Sequence, residues 1–197
     1  LFHGGSAGGG TAPQKRAELV DEMMSRLEPD SLSAEQLLTL SAAGVLREYS
    51  KRADVIVRLE KLAESRDAHG AAAALALVGV KPESGGPGPD AVANMAAALR
   101  HPGLARLAPS IAVKDAMSIV TNYLLNRESA VGLLLPELTA FFSLDLGLPI
   151  APHLNVFLDL VERAKLTPSQ IDPLREAMLG AVKRCRRKLD NKESMID

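Results

Sequence analysis

From Ser31 to Arg66 apolar positions recur every three or four residues, in two runs. Leu37, Leu38 and Leu40 carry the first run; Val55, Ile56, Leu59, Leu62 and Ala63 carry the second. This is the period of a helix with one face turned inward. The opposite face of the second run is charged, with Lys51, Arg52, Arg58, Glu60, Lys61 and Glu64. Ser33 followed by Gln36 is a reciprocal capping signature that satisfies two orphan backbone donors. Gly44 suits a helix stop. The stretch therefore reads as two helices joined by a short turn.

The same period continues along the chain. Thr11 to Glu28 predicts an earlier helix, with Ala17, Val20, Met24 and Leu27 on one face and Glu28-Pro29-Asp30 as its stop. Ala68 to Val80 is alanine-rich and apolar nearly all round, the composition of a helix enclosed by neighbours. Asp90 to Arg100 predicts a helix with Ala91, Val92, Met95, Ala98 and Leu99 inward, ended by His101-Pro102-Gly103. Ile111 to Asn126 predicts another, with Ala112, Ala116, Ile119, Val120, Tyr123 and Leu124 inward. Its partner runs from Ala130 to Phe142 and contains Pro136, which is expected to kink or shorten it. Ala151-Pro152 opens a helix whose inward stripe reads as Leu154, Phe157, Leu158 and Val161. Thr167, Pro168 and Gln170 form a start signal for the last helix, expected to end near Lys188 with Ile171, Leu174, Met178 and Val182 as its stripe. Residues 1–10 read as a flexible glycine-rich lead-in, 81–89 as a mobile loop rich in proline and glycine, and 189–197 as a polar tail. The fold class is all-α: an irregular α-solenoid or bundle of about nine antiparallel helices, forming one domain over residues 11–188.

Composition narrows the core. Aromatic residues are 3% of the 197, so the interior must be built from Leu, Ala, Val and Met. The formal net charge of −1 supplies no global field toward nucleic acid or an anionic membrane. One cysteine, Cys185, excludes an internal disulfide and points to a reducing, intracellular compartment. No apolar run reaches the length of a transmembrane helix. The chain begins at Leu1, and is expected to be a processed product or a fragment.

Gly44-Val45 and Gly79-Val80 lie 35 residues apart, and Ile111-Ala112 and Ile150-Ala151 lie 39 apart. Helix pairs at such intervals mark an α-solenoid. The segments SLSAEQLLTLSAAGVL, SIAVKDAMSIVTNYLLNRE and PIAPHLNVFLDLVERAKLT resemble the first helices of degenerate organellar repeats, those of octotricopeptide proteins and FAST-kinase-like RNA-associated proteins. The resemblance covers roughly residues 31–188 and lies in pattern rather than identities. It implies an organellar, for instance mitochondrial, ribonucleoprotein setting. It carries no base-reading residue over to this chain, and the strongly basic balance usual in such proteins is missing.

Residues 4–8 fit G-x-S-x-G, the nucleophile-elbow pattern centred on Ser6. That chemistry needs a strand before the serine and an α/β sheet, which the pattern does not predict, and half of the first ten residues are glycine. The histidines His3, His69, His101 and His153 show no ligand spacing and read as exposed or capping side chains; no metal site or cofactor is expected. Phe141-Phe142, with Leu144 and Leu146, reads as core packing, with an exposed patch for a partner as the alternative. The sharpest feature is Lys183, Arg184, Arg186, Arg187 and Lys188 around Cys185, a basic end to the last helix. Arg184, Arg187 and Lys188 share a face by spacing and are expected to be solvated. The cluster suits either the helix C-terminal dipole or an acidic or phosphate partner. A sparser basic line is Arg47, Lys51, Arg52 and Arg58, with no aromatics interleaved for base stacking. The expected function is non-catalytic: a helical scaffold holding protein partners in a larger complex. Direct RNA binding is the alternative, and a serine hydrolase using Ser6 a distant third.

Overall fold

The Ser33 hydroxyl accepts the Gln36 backbone N–H at 3.2 Å, and the Gln36 side-chain oxygen accepts the Ser33 N–H at 2.8 Å, so the reciprocal cap forms as its sequence requires. It opens α1, Ala34–Ala42, just after a short 3-10 turn at Pro29–Ser31. The computed structural model describes residues 28–42, 53–80, 89–110, 113, 117, 128–147 and 149–193. Seven more helices follow: α2 Ala53–Ala63, α3 Ala68–Val80, α4 Pro89–Leu99, α5 Leu104–Leu107, α6 Glu128–Phe142, α7 Ala151–Arg163 and α8 Pro168–Glu193. Among the described residues the fold is all-α, without a strand. The expected lead-in with Ser6, the first helix through residue 27, residues 81–88 of the loop expected over 81–89, and residues 194–197 lie outside the described residues; Pro89, read as the end of that loop, is instead the first residue of α4. Of the helix expected over 111–126, Val113 and Met117 are described; both are helical and fully buried.

The alanine helix α3 is the hub of the N-terminal half and packs against α1, α2, α4 and α5. Ala71, Ala72, Ala73 and Ala76 are fully buried. Methyl side chains let four neighbours approach one axis, and the larger residues come from those neighbours: Leu37 and Leu38 from α1, Val55 and Leu59 from α2, Met95 from α4. Each such leucine contributes roughly 1.5–3 kcal/mol by leaving water. Asp67 caps α3 by accepting the Gly70 N–H at 2.9 Å. The packing then passes to the second half through α4 on α6 and α6 on α8. Arg100 fastens the first step, its Nε 3.2 Å from Glu137 Oε1.

Phe141 and Phe142 close the core between α6 and α7. Their rings meet edge to face at 5.5 Å, and Phe142 meets Phe157 at 5.9 Å in the same manner. This geometry favours ring pairs beyond the area they bury. α6 runs through Pro136, which sits on its exposed face, so the helix is not shortened there.

Two facings differ from expectation. In α7 the buried residues are His153, Val156, Phe157 and Leu160, while Leu158 is 42% exposed. The helix carries two apolar stripes, and the one holding Phe157 and Leu160 wins because it meets Phe142. In α8 the inward residues are Leu174, Met178, Ala181 and Cys185; Val182 points outward. That helix also continues to Glu193, past the end expected near Lys188 and into the stretch read as tail.

Candidate interaction surface on the C-terminal helix

Pro168 begins α8, where its missing N–H costs nothing. Behind it, Gln170 reaches back to accept the Thr167 N–H at 2.8 Å. The Thr167 hydroxyl, expected to cap the helix N–H groups, instead donates to the Gln170 side chain at 3.1 Å. The core face of the helix then runs to Cys185.

At that point α8 crosses the connection between α6 and α7. The Arg184 guanidinium donates to the backbone carbonyls of Ser143 and Leu144, at 2.9 Å each. These are carbonyls at the C-terminal end of α6, where intrahelical partners run out. Lys188 pairs with the Asp145 carboxylate. The buried Cys185 thiol donates to the Gly147 carbonyl at 3.1 Å. Gly147 has φ of +67°, and a Cβ there would fall 2.7 Å from Pro109 Cβ, so the turn needs glycine. Asp145 is held below the usual carboxylate range, first by Lys188 and then by the Gly147 N–H, which it accepts at 3.2 Å. Burial pushes the Cys185 thiol up, and the nearby Asp145 adds to this.

The basic cluster is therefore two groups of different kinds. Arg184, half-buried, and Lys188, which stays exposed as expected, both engage the turn at 143–147; this corrects the reading of Arg184, Arg187 and Lys188 as one face free of contacts with its own chain. Lys183, Arg186 and Arg187 are exposed and have no ion-pair partner among the described residues. Between them and beside them stand apolar side chains in water: Leu179 at 44% exposure, Val182 at 37% and Leu189 at 48%. Sequence spacing could not separate these groups, because the partners of Arg184 and Lys188 lie some forty residues away in the chain.

Of the described histidines, His153 departs from the exposed or capping position expected of it. His153 is buried against Phe141, with ring centroids 5.9 Å apart, and its Nδ1 has no hydrogen-bond partner among the described residues. Burial lowers its pKa, offset in part by a hydrogen bond with the Ala108 backbone. His101 does serve a turn: Nδ1 accepts the Gly103 N–H at 3.1 Å, and Nε2 lies 3.1 Å from the Ala63 carbonyl. The neutral tautomer with hydrogen on Nε2 satisfies both. His69 is half-buried, and its Nε2 has no hydrogen-bond partner among the described residues. Among the described residues no three His, Cys, Asp or Glu side chains are grouped to hold a metal ion. Arg58 of the sparser basic line lies 4.0 Å from Glu28; Arg47, Lys51 and Arg52 lie outside the described residues. No described helix is long and apolar enough to cross a membrane. Compared with protein-family models, curated proteins and solved structures, the chain matches none.

Proposed function

We propose that this chain is a non-catalytic binding subunit that holds a protein neighbour in a larger assembly through the outer face of α8. One observation carries the reading: Lys183, Arg186 and Arg187 project from a helix anchored on its other side, with no ion-pair partner among the described residues. Unpaired cations on a chain of net charge −1 form a local field rather than a global one. A protein partner accounts for the aliphatic residues among them, which phosphate contacts leave unused. The resemblance to organellar helical repeats adds the expectation that the assembly is a ribonucleoprotein, with RNA contacted by this chain or by its neighbours.

The test is retention of native partners from the chain's own cell extract. The wild type is compared with a Lys183→Gln, Arg186→Gln, Arg187→Gln variant at two salt concentrations, with and without ribonuclease. The variant is expected to keep its fold, to lose a protein partner that survives ribonuclease, and to lose it less distinctly at high salt. Equal retention by both proteins would reject the reading. Ribonuclease-sensitive binding that weakens uniformly across RNA sequences would assign the cations to phosphates instead.

A further inference from the structure

The exposed side of α8 has a second regularity. Arg175, Leu179, Val182, Arg186 and Leu189 are spaced four, three, four and three. That 3.5-residue period is the seam of a coiled coil, and a straight helix keeps such a seam on one side over these few turns. The core-facing residues Leu174, Met178, Ala181 and Cys185 occupy the neighbouring side, so the seam is not an extension of the core. Leu179, Val182 and Leu189 are three of the six large hydrophobic side chains most exposed among the described residues, and all three fall on this seam. The helix has 26 residues, about 39 Å at 1.5 Å per residue, and presents them on a rod already fixed by its other face.

We infer that this seam is one half of a helix–helix interface, and that its other half is an acidic amphipathic helix of a different protein. The inference rests on the binding role proposed above and names the partner's chemistry. Leu179, Val182 and Leu189 require apolar seam residues opposite. Arg186 stands at a seam position between Val182 and Leu189, where it needs a carboxylate opposite or loses its hydration without compensation. Lys183 and Arg187 border the seam on its outer rim and select acidic flanks on the incoming helix. Glu176 and Asp190 stand outside this basic stretch at either end, and so limit the acidic segment to about three turns of the partner.

A second copy of this chain fits poorly. Parallel pairing sets Arg186 against Arg186 and Lys183 against Lys183. Antiparallel pairing about the middle of the seam brings Lys183, Arg186 and Arg187 of both copies within about one turn of each other. RNA fits poorly for a different reason: it leaves Leu179, Val182 and Leu189 in water and finds no aromatic ring to stack on.

The probes are a designed amphipathic peptide with leucine at its seam positions and glutamate flanking them, the same peptide with lysine flanks, and a single-stranded RNA. Binding to the full chain is read by fluorescence anisotropy. The glutamate peptide is expected to bind and the other two are not. Leu179→Gln with Val182→Gln should weaken it by about tenfold or more, with an unchanged circular dichroism spectrum. Arg186→Glu should abolish binding of the glutamate peptide and create binding of the lysine peptide, a gain that damage to the fold does not produce. Several results would overturn the inference. One is no binding of the glutamate peptide; another is preferential binding of RNA. A third is self-association in sedimentation that Leu179→Gln dissolves, which would make a second copy the occupant. A fourth is glutamate-peptide binding that ignores the double Gln variant yet needs the cations; this would leave the binding role standing and remove the seam.

Discussion

A Cβ at Gly103 would lie 1.6 Å from the carbonyl oxygen of Asp67. The α4–α5 turn is thus pressed onto the α2–α3 turn with room for a hydrogen and nothing larger, and His101 holds the two together through Ala63. The obstruction is backbone, so it cannot move aside as a side chain would. Gly103→Ala is expected to lower stability by about 3 kcal/mol or more, beyond the usual cost of an extra methyl group. Gly132 in α6 is the counter-case: a Cβ there meets nothing within 4 Å among the described residues. Gly132→Ala should stabilise by up to about 1 kcal/mol, through helix propensity alone. Thermal or denaturant unfolding of both variants checks the opposite signs, and equal effects would mean the turns are not in contact.

The facing of α7 predicts a contrast between two leucines two residues apart. Leu160 is fully buried and Leu158 is 42% exposed. Leu160→Ala should cost about 2–5 kcal/mol and Leu158→Ala less than about 1 kcal/mol. The reverse order in denaturant titrations would turn the helix by one position.

Acid should destabilise the fold in two stages. His153 has its folded-state pKa lowered from 6.5 by burial, so below that value the unfolded chain binds the proton more readily than the fold does. Its contribution is present above pH 6.5 and is lost as pH falls from there toward the folded pKa. Asp67 and Asp145 are also lowered, from 3.8, and their contributions fade only as pH falls below that value. His153→Phe should remove the first stage and spare the second, read as unfolding midpoint against pH. Retention of the first stage in that variant would place its origin elsewhere.

Cys185 should react slowly with iodoacetamide in the native chain and rapidly in denaturant, since burial and a raised pKa both withhold the thiolate. Arg184→Gln removes the donor to two carbonyls at the end of α6. It should cost about 1–3 kcal/mol and speed native alkylation, whereas Lys183→Gln should do neither. Equal rates in the three proteins would show that the Arg184 bonds do not hold the turn.

Much of the fold was legible where a short-range rule applied. Ser33 and Gln36 are three residues apart, and their cap depends on nothing else. The burial of α3 follows from alanine on every side of it. Phe141 and Phe142 had too much area to leave in water. The α7 facing was misread because Leu154, Leu158 and Val161 are as apolar as the stripe that is buried. The deciding weight lay with Phe157 and its partner Phe142 in another helix, and the presence of His153 argued for the wrong side. The basic cluster was legible as a run of cations but not as two groups, because backbone carbonyls at Ser143 and Leu144 leave no trace in side-chain pattern. The exposed seam on α8 had a signal available in its four-three spacing. It was obscured by assigning Val182 to the core.

The attachment of α8 at residues 143–147 also bears on the order of folding. Its four contacts join residues 38 to 43 positions apart. Bringing those ends together carries one loop-closure entropy, which grows only with the logarithm of loop length. The first contact to form bears that cost, and the other three follow at little further expense. They should therefore appear and disappear as a unit, after α6, α7 and α8 exist as separate helices, and stopped-flow measurements should give Arg184→Gln a faster unfolding rate with a nearly unchanged folding rate.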